Sequence, residues 1–183
     1  MLAGDVRDFV WDTLARARAV SYPLPPHGHN PNFNGAKAAA VQLLAHERLV
    51  GARVLVVGPE RALLPLRKLA LAEGRVLFVP HQKKEGRYWR LGDERGAQLS
   101  SMPAFGEEVE APNGAQAVVL ASVVVARDGG RLSKGFGWGA RGVPLGVPQL
   151  TLAHPIMLRD RLPCEPDSRV DLIATPREVI APA

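Results

Sequence analysis

Val6, Phe9, Val10, Trp11, Leu14 and Ala17 recur at intervals of three and four, which predicts a helix from about Asp5 to Ala19 with these residues on its buried face. Arg7, Arg16 and Arg18 fall on the polar side. The segment that follows, SYPLPPHGHNPNFNG, has four prolines among Asn and Gly and reads as irregular connection, of a length that is usually functional or mobile. Asn34 is placed to cap a second helix through GAKAAAVQLLAHERL, because its side-chain oxygen can accept from first-turn amides. RVLVVG then reads as a buried strand, Glu60 to Glu73 as a third helix stopped by Gly74, and RVLFVP as a second buried strand. Such alternation predicts a right-handed parallel α/β layer.

From His81 to Asn113 no period is sustained, and loop with short strands is expected. AQAVVLASVVVARDGG is nearly continuous in apolar residues and divides into two strands at about Ser122, closing on a turn at Asp128-Gly129-Gly130. VPQLTLAH and VDLIATP supply two more short buried strands. Without repeats or low-complexity tracts, residues 1–183 read as one domain.

Composition narrows this picture. Apolar residues make up 46% of the chain and aromatic residues only 5%, which suits parallel strands and helices better than an aromatic-rich sandwich. Cys164 is the sole cysteine, so an internal disulfide and a multi-cysteine zinc site are excluded. MLAGDVRDFVW carries acidic residues where a secretory leader needs a basic start and an apolar run. The longest apolar run, Ala117 to Ala126, is about half of the ~20 residues a bilayer span requires. A cytoplasmic location without membrane partners is expected. Lys and Arg number 23 against 18 Asp and Glu, a formal +5 that is scattered along the chain. Its densest part, Lys83-Lys84 with Arg87 and Arg90, reads as a solvated loop or as a polyphosphate or nucleic-acid surface.

Chemistry concentrates in GGRLSKGFGWGAR, Gly129 to Arg141. Glycines let a backbone approach a ligand and present amides to an anion, while Arg131, Lys134 and Arg141 supply countercharge. The pattern fits a phosphate-cradling loop or a Gly-rich hairpin with exposed basic residues. His27 and His29 are close in sequence but lack a third ligand, and His154 ends a strand where it faces a cleft or serves the structure. Asp167 and Asp171 lie in EPDSRVD, at a strand edge that holds magnesium in some proteins and a turn cap with a surface ion pair in others. Cys164 sits between Pro163 and Glu165, and an adjacent carboxylate discourages a thiolate.

VRDFVW, HGHNPNFNGAKAAAVQLL, GRVLFVP, SVVVARDGGRLSKGFGWG, LAH and EPDSRVDLIATP together resemble the 5-formyltetrahydrofolate cyclo-ligase (methenyltetrahydrofolate synthetase) family, in the expected order over nearly the whole chain. PNF-x-GA and RLSKG-x-GW resemble most the cyclo-ligase-like paralogue branch. The resemblance implies an α/β fold of the NagB/RpiA/CoA-transferase type, a mostly parallel sheet in three layers between helices. It also implies ATP with magnesium and a small-molecule substrate, a folate or another heterocycle. In the family, ATP activates the formyl oxygen of 5-formyltetrahydrofolate and ring closure gives 5,10-methenyltetrahydrofolate. The paralogue branch is connected with thiamin metabolism, and a non-catalytic nucleotide- or pterin-binding role is the other alternative.

Carried over residue by residue, the resemblance makes Arg7, Arg131, Lys134, Gly135 and Gly137 phosphate contacts, Trp138 an aromatic lining the pocket, and Asp167 a magnesium ligand. Four departures accompany it. Ala3 stands where a Lys is expected, and Ala140 where a second magnesium carboxylate belongs. Arg61 and Ala62 occupy the position of a folate-contacting Glu, and Gly142, Pro144, Gly146 and Pro148 break the helix expected after the loop. These changes imply a retained scaffold with weak or lost cyclo-ligase activity.

Overall fold

The computed structural model describes residues 1–183. In chain order the helices are α1 (Ala3–Arg16), α2 (Ala36–Ala45), α3 (Glu47–Val50), α4 (Leu64–Ala72) and α5 (Met102–Phe105). The strands are β1 (Val54–Val57), β2 (Val76–Pro80), β3 (Tyr88–Leu91), β4 (Gly106–Val109), β5 (Ala117–Leu120), β6 (Val124–Ala126), β7 (Gly130–Leu132), β8 (Gln149–Leu152), β9 (Leu158–Arg159), β10 (Ser168–Arg169), β11 (Leu172–Ala174) and β12 (Val179–Ile180).

Eight strands form one sheet in the order β12-β11-β8-β5-β1-β2-β3-β4. The five central ones, β11, β8, β5, β1 and β2, run parallel, and antiparallel strands close both edges. The α/β class is therefore the one the sequence indicates. Period-two alternation decides which face each side chain joins. Leu55, Val57, Leu77, Val79, Ala117 and Val119 enter a core cluster of 41 buried residues that also takes in α1, α2 and α4. Val56, Phe78, Val118 and Leu120 point the other way, into a smaller cluster with Val143. That second face is covered by Trp138, Val143 and Val147 rather than by a helix. The helix-breaking residues at 142–148 thus replace a helical layer with irregular chain.

After Leu120 the chain leaves the main sheet. It enters a second, four-stranded sheet ordered β10-β7-β6-β9, in which β6 and β7 form an antiparallel hairpin. The division of the apolar run at Ser122 is therefore real.

Several local expectations need correction. Phe9 is 59% exposed, and the buried stripe of α1 is Val6, Val10, Trp11 and Leu14. Asn34 does not cap α2: Gly35 holds that position in a left-handed conformation, while Asn34 donates to the Arg18 carbonyl and accepts from Ser21. The second helix breaks at His46, whose Nδ1 accepts from the Arg48 amide and restarts the chain as α3.

Three arginines are almost wholly internal: Arg67, Arg75 and Arg131. Buried charge requires partners, and each of these collects main-chain carbonyls where the chain changes element. Arg75 donates to the carbonyls of Leu49 and Ala52, both at 2.8 Å, and to that of Leu44 at 3.3 Å, closing the ends of α2 and α3. Replacing Arg75 by Met keeps most of the volume and orphans these acceptors. The expected cost is about 3 kcal/mol, or a fall in Tm of about 6–12 °C, measurable by thermal denaturation. An unchanged Tm would mean that the carbonyls find other donors.

Candidate functional site

β2 and β5 flank β1 on opposite sides, so the sheet has its switch point there, and ligands of open α/β sheets gather at the carboxyl ends of such strands. Around this point lie Gly58 to Glu60 after β1, His81 after β2, and Ala121 and Ser122 after β5. The glycine-rich segment reaches the same place, half as strand β7 and half as the loop from Ser133 to Gly139.

Side chains from distant elements hold this loop. Arg7 of α1 donates through Nε to the Ser133 carbonyl at 2.7 Å and through Nη2 to Asp167 Oδ2 at 2.8 Å. The same carboxylate oxygen accepts from the Ser133 amide and hydroxyl, each at 3.0 Å. Asn30, from the proline-rich connection, accepts from the Lys134 amide and donates to Glu60 Oε2, both at 2.9 Å. Gly135, with φ near 100°, passes over the Arg7 guanidinium. A Cβ at Gly135 would lie 3.4 Å from Arg7 Cζ.

Arg131 is placed differently from the expected phosphate contact. It is 1% exposed and points inward, donating to the Ala121 carbonyl, Ser122 Oγ, the Gly139 and Ala140 carbonyls and Ser168 Oγ. With its donors so engaged it positions the loop from within. Burial pushes its pKa down to about 10, against the opposing pull of Glu60 and Asp167, so it stays charged at neutral pH. Arg67 is similar, pushed to about 10 by burial and sustained by Glu60. It donates to the Gly58, Glu60 and Ala97 carbonyls.

Arg7, Lys134, Gly135, Gly137 and Trp138 do converge on one region. The amides of Phe136, Gly137, Trp138 and Gly139 have no acceptor within the protein, which leaves four consecutive donors on a bend of left-handed glycines. Lys134 has no carboxylate partner, and its Nζ lies 4.5 Å from the Phe136 ring centroid. Gly137 and Trp138 border a cavity of about 660 Å³ whose walls include Pro59, His81, Lys83 and Tyr88. Trp138 Nε1 is 3.4 Å from the Tyr88 hydroxyl. Lys134 borders a second concavity of about 350 Å³ with Tyr22, Asn30, Glu60 and Arg61, and Pro59 and Gln82 line both.

Asn30, Glu60, Ser133 and Tyr88 carry this geometry, yet sequence reasoning did not single them out. For Glu60 a signal existed: it directly follows the first parallel strand, where ligand-facing residues collect. It immediately precedes Arg61 and Ala62, which stand where the family resemblance places an acid. The basic cluster, by contrast, is partly neutralised. Lys84 and Arg87 pair with Glu108 at 3.0 and 3.2 Å, and Lys84 first, then Arg87, hold its carboxyl below the usual range.

Asp171 makes no hydrogen bond within the loop's network and instead caps the Gln149 amide at 2.8 Å. No three His, Cys, Asp or Glu side chains lie together as a metal site, and His27 instead pairs with Asp12 at 2.7 Å. Asp167 alone, already holding three donors on Oδ2, does not make a protein-built magnesium site.

A parallel sheet with unpaired loop amides, a free lysine and an aromatic wall at its carboxyl end defines an α/β protein with an anion-receptive cleft. The chain belongs to the 5-formyltetrahydrofolate cyclo-ligase family, whose sequence model matches residues 4–176. It is 26% identical over 200 residues to a methenyltetrahydrofolate synthase domain-containing protein of Bos taurus, covering 96% of this chain and 53% of that protein. The Homo sapiens counterpart is 26% identical over 201 residues, covering 97% and 52%. The chain thus spans about half the length of these curated relatives. Among solved structures, Aquifex aeolicus 5,10-methenyltetrahydrofolate synthetase shares the fold with a TM-score of 0.64 at 17% identity, covering 96% of this chain and 92% of that one. No helix is long and apolar enough to cross a membrane.

His154, at the end of β8, serves the structure: its Nδ1 accepts from the Ile156 amide at 3.0 Å, and its ring meets Phe33 edge-on. Burial lowers its pKa. The folded state therefore favours the neutral ring, and protonation also removes the acceptor. Since the unfolded chain binds the proton more readily, stability present above pH ~6.5 should decline as pH falls through the lowered value. His154→Asn keeps an acceptor and cannot titrate, so its Tm should fall less between pH 7 and 5 than that of the wild type. Parallel Tm profiles for the two would remove His154 as a source of acid sensitivity.

Proposed function

We propose that this chain binds ATP through the loop from Ser133 to Gly139 and a heterocyclic small molecule against Trp138 and Tyr88, with cyclo-ligase activity that is weak or lost. The observation that carries this reading is the run of four unpartnered amides, Phe136 to Gly139, beside the uncommitted Lys134. Amides arranged on a left-handed bend form an anion-binding concavity, and a lysine adds a point charge for phosphate. Arg7 uses Nε and Nη2 within the protein, which leaves Nη1 for a phosphate oxygen. Family membership and the synthetase fold support a folate-related, ligase-like setting.

ATP, when bound, supplies a phosphoryl group able to activate a formyl oxygen toward ring closure. The chain's own residues hold the phosphates at the amides and Lys134, and present a flat aromatic wall to a ring system. Glu60 offers a carboxylate to the ligand's N–H groups from the second concavity. Phosphoryl transfer relies on charge stabilisation more than on covalent groups. With Ala140 in place of a carboxylate and Asp167 committed to Arg7, that stabilisation is reduced, and each 1.4 kcal/mol lost is about tenfold in rate.

Lys134→Ala should weaken ATP binding about tenfold, the worth of one charge-assisted bond, as read by calorimetry. Equal affinities would remove the loop from the ATP site. On mixing with 5-formyltetrahydrofolate, ATP and magnesium, absorbance of the methenyl product should rise slowly or not at all. Turnover of several per second, ordinary for enzymes, would show the chemistry intact.

A further inference from the structure

Each carboxylate beside the loop is engaged through one oxygen only, leaving Asp167 Oδ1 and the buried Glu60 Oε1 without a partner, two oxygens on separate segments where magnesium needs about six. Asp167 Oδ2 accepts from Arg7 Nη2 at 2.8 Å and from the amide and hydroxyl of Ser133 at 3.0 Å. Glu60 Oε2 accepts from Asn30, and the buried guanidinium groups of Arg67 and Arg131 lie within its field. Residue 140 is Ala and brings no oxygen from its side chain. Four cations, Arg7, Lys134, Arg67 and Arg131, thus stand against two carboxylates at the cleft. This local balance opposes a further divalent cation and favours a polyanion.

Magnesium also requires near-octahedral oxygen ligation, and a carboxylate oxygen holding three hydrogen-bond donors is a poor ligand. Arg7 cannot give up its proton to make room, and its guanidinium lies against Gly135 at the base of the loop. We propose that the loop takes the triphosphate group as the free anion, without magnesium, with countercharge from Arg7, Lys134 and the amides of Phe136 to Gly139. Asp167 is then a positioning residue that fixes Arg7 beneath the loop. The proposal rests on the reading that this loop binds a polyphosphate.

The test is calorimetry of the whole chain with ATP and with inorganic triphosphate, each in excess magnesium and in EDTA. Affinity in EDTA should equal or exceed that in magnesium, because the metal-free anion carries more charge. Lys134→Ala should weaken binding in both media alike. Asp167→Asn, which keeps an acceptor for Arg7, should leave the ratio of the two affinities unchanged. Binding tenfold or more tighter with magnesium overturns the proposal and leaves ATP recognition standing. So does a magnesium preference that Asp167→Asn abolishes. No binding in either medium overturns this proposal together with the proposed function. The wild-type comparison decides the matter even if a variant fails to fold.

Discussion

The far end of the glycine loop and its junction with both sheets depend on how the charge of Arg131 is accommodated. Its side chain is 1% exposed, and an unpaired charge at that depth would be prohibitive. The cost is offset because the guanidinium satisfies acceptors that the fold would otherwise leave stranded. Its Nη2 reaches the Ala121 carbonyl at 2.6 Å, where the chain has just left the main sheet, and its Nε reaches Ser122 Oγ at 3.0 Å. Its Nη1 meets the Gly139 carbonyl at 2.9 Å and Ser168 Oγ at 3.0 Å. One side chain therefore ties the exit of β5, the far end of the glycine loop and strand β10 to a common centre.

The near end of the loop is fixed by a separate set of contacts. Arg7 meets Ser133 and Asp167 across sequence separations of 126 and 160 residues, and Asn30 meets Lys134 across 104. Contacts between such distant positions form only once both sheets are assembled, so the loop's shape is a tertiary property. With both ends restrained, the middle of the loop has little freedom left to lose on meeting an anion, and preorganised donors act more strongly than mobile ones.

That organisation explains what was legible in the sequence. Parallel strands β1, β2, β5, β8 and β11 were readable because each is a short apolar run flanked by turn residues, and periodicity is local. The convergence of Arg7, Lys134, Gly135, Gly137 and Trp138 on one region followed from the family resemblance rather than from spacing. Arg131 was legible as a cation of the glycine-rich segment but not as an internal one, since nothing local tells an arginine that serves carbonyls from one that serves a phosphate. The exposure of Phe9 was hidden for a related reason: three- and four-residue spacing admits residues on both flanks of the helix stripe, and only packing chooses between them. Strands β9, β10 and β12 span two residues each, too few for any period to register.

The chain beyond the loop shows how stability and recognition share the same residues. Val56, Phe78, Val118 and Leu120 form an apolar face that must be covered, and no helix packs there. Trp138, Val143 and Val147 provide the cover from a segment that Gly142, Pro144, Gly146 and Pro148 keep out of helical conformation. The approach is close enough that a Cβ on Gly139, whose φ is 73°, would lie 2.7 Å from Leu120 Cδ2. Glycine there lets the loop descend onto the sheet and places Trp138 at once over the core face and at the edge of the larger cavity. A bulkier residue at 139 would lift the tryptophan from both, so the wall of the cleft is held by the same packing that buries the second face of the sheet.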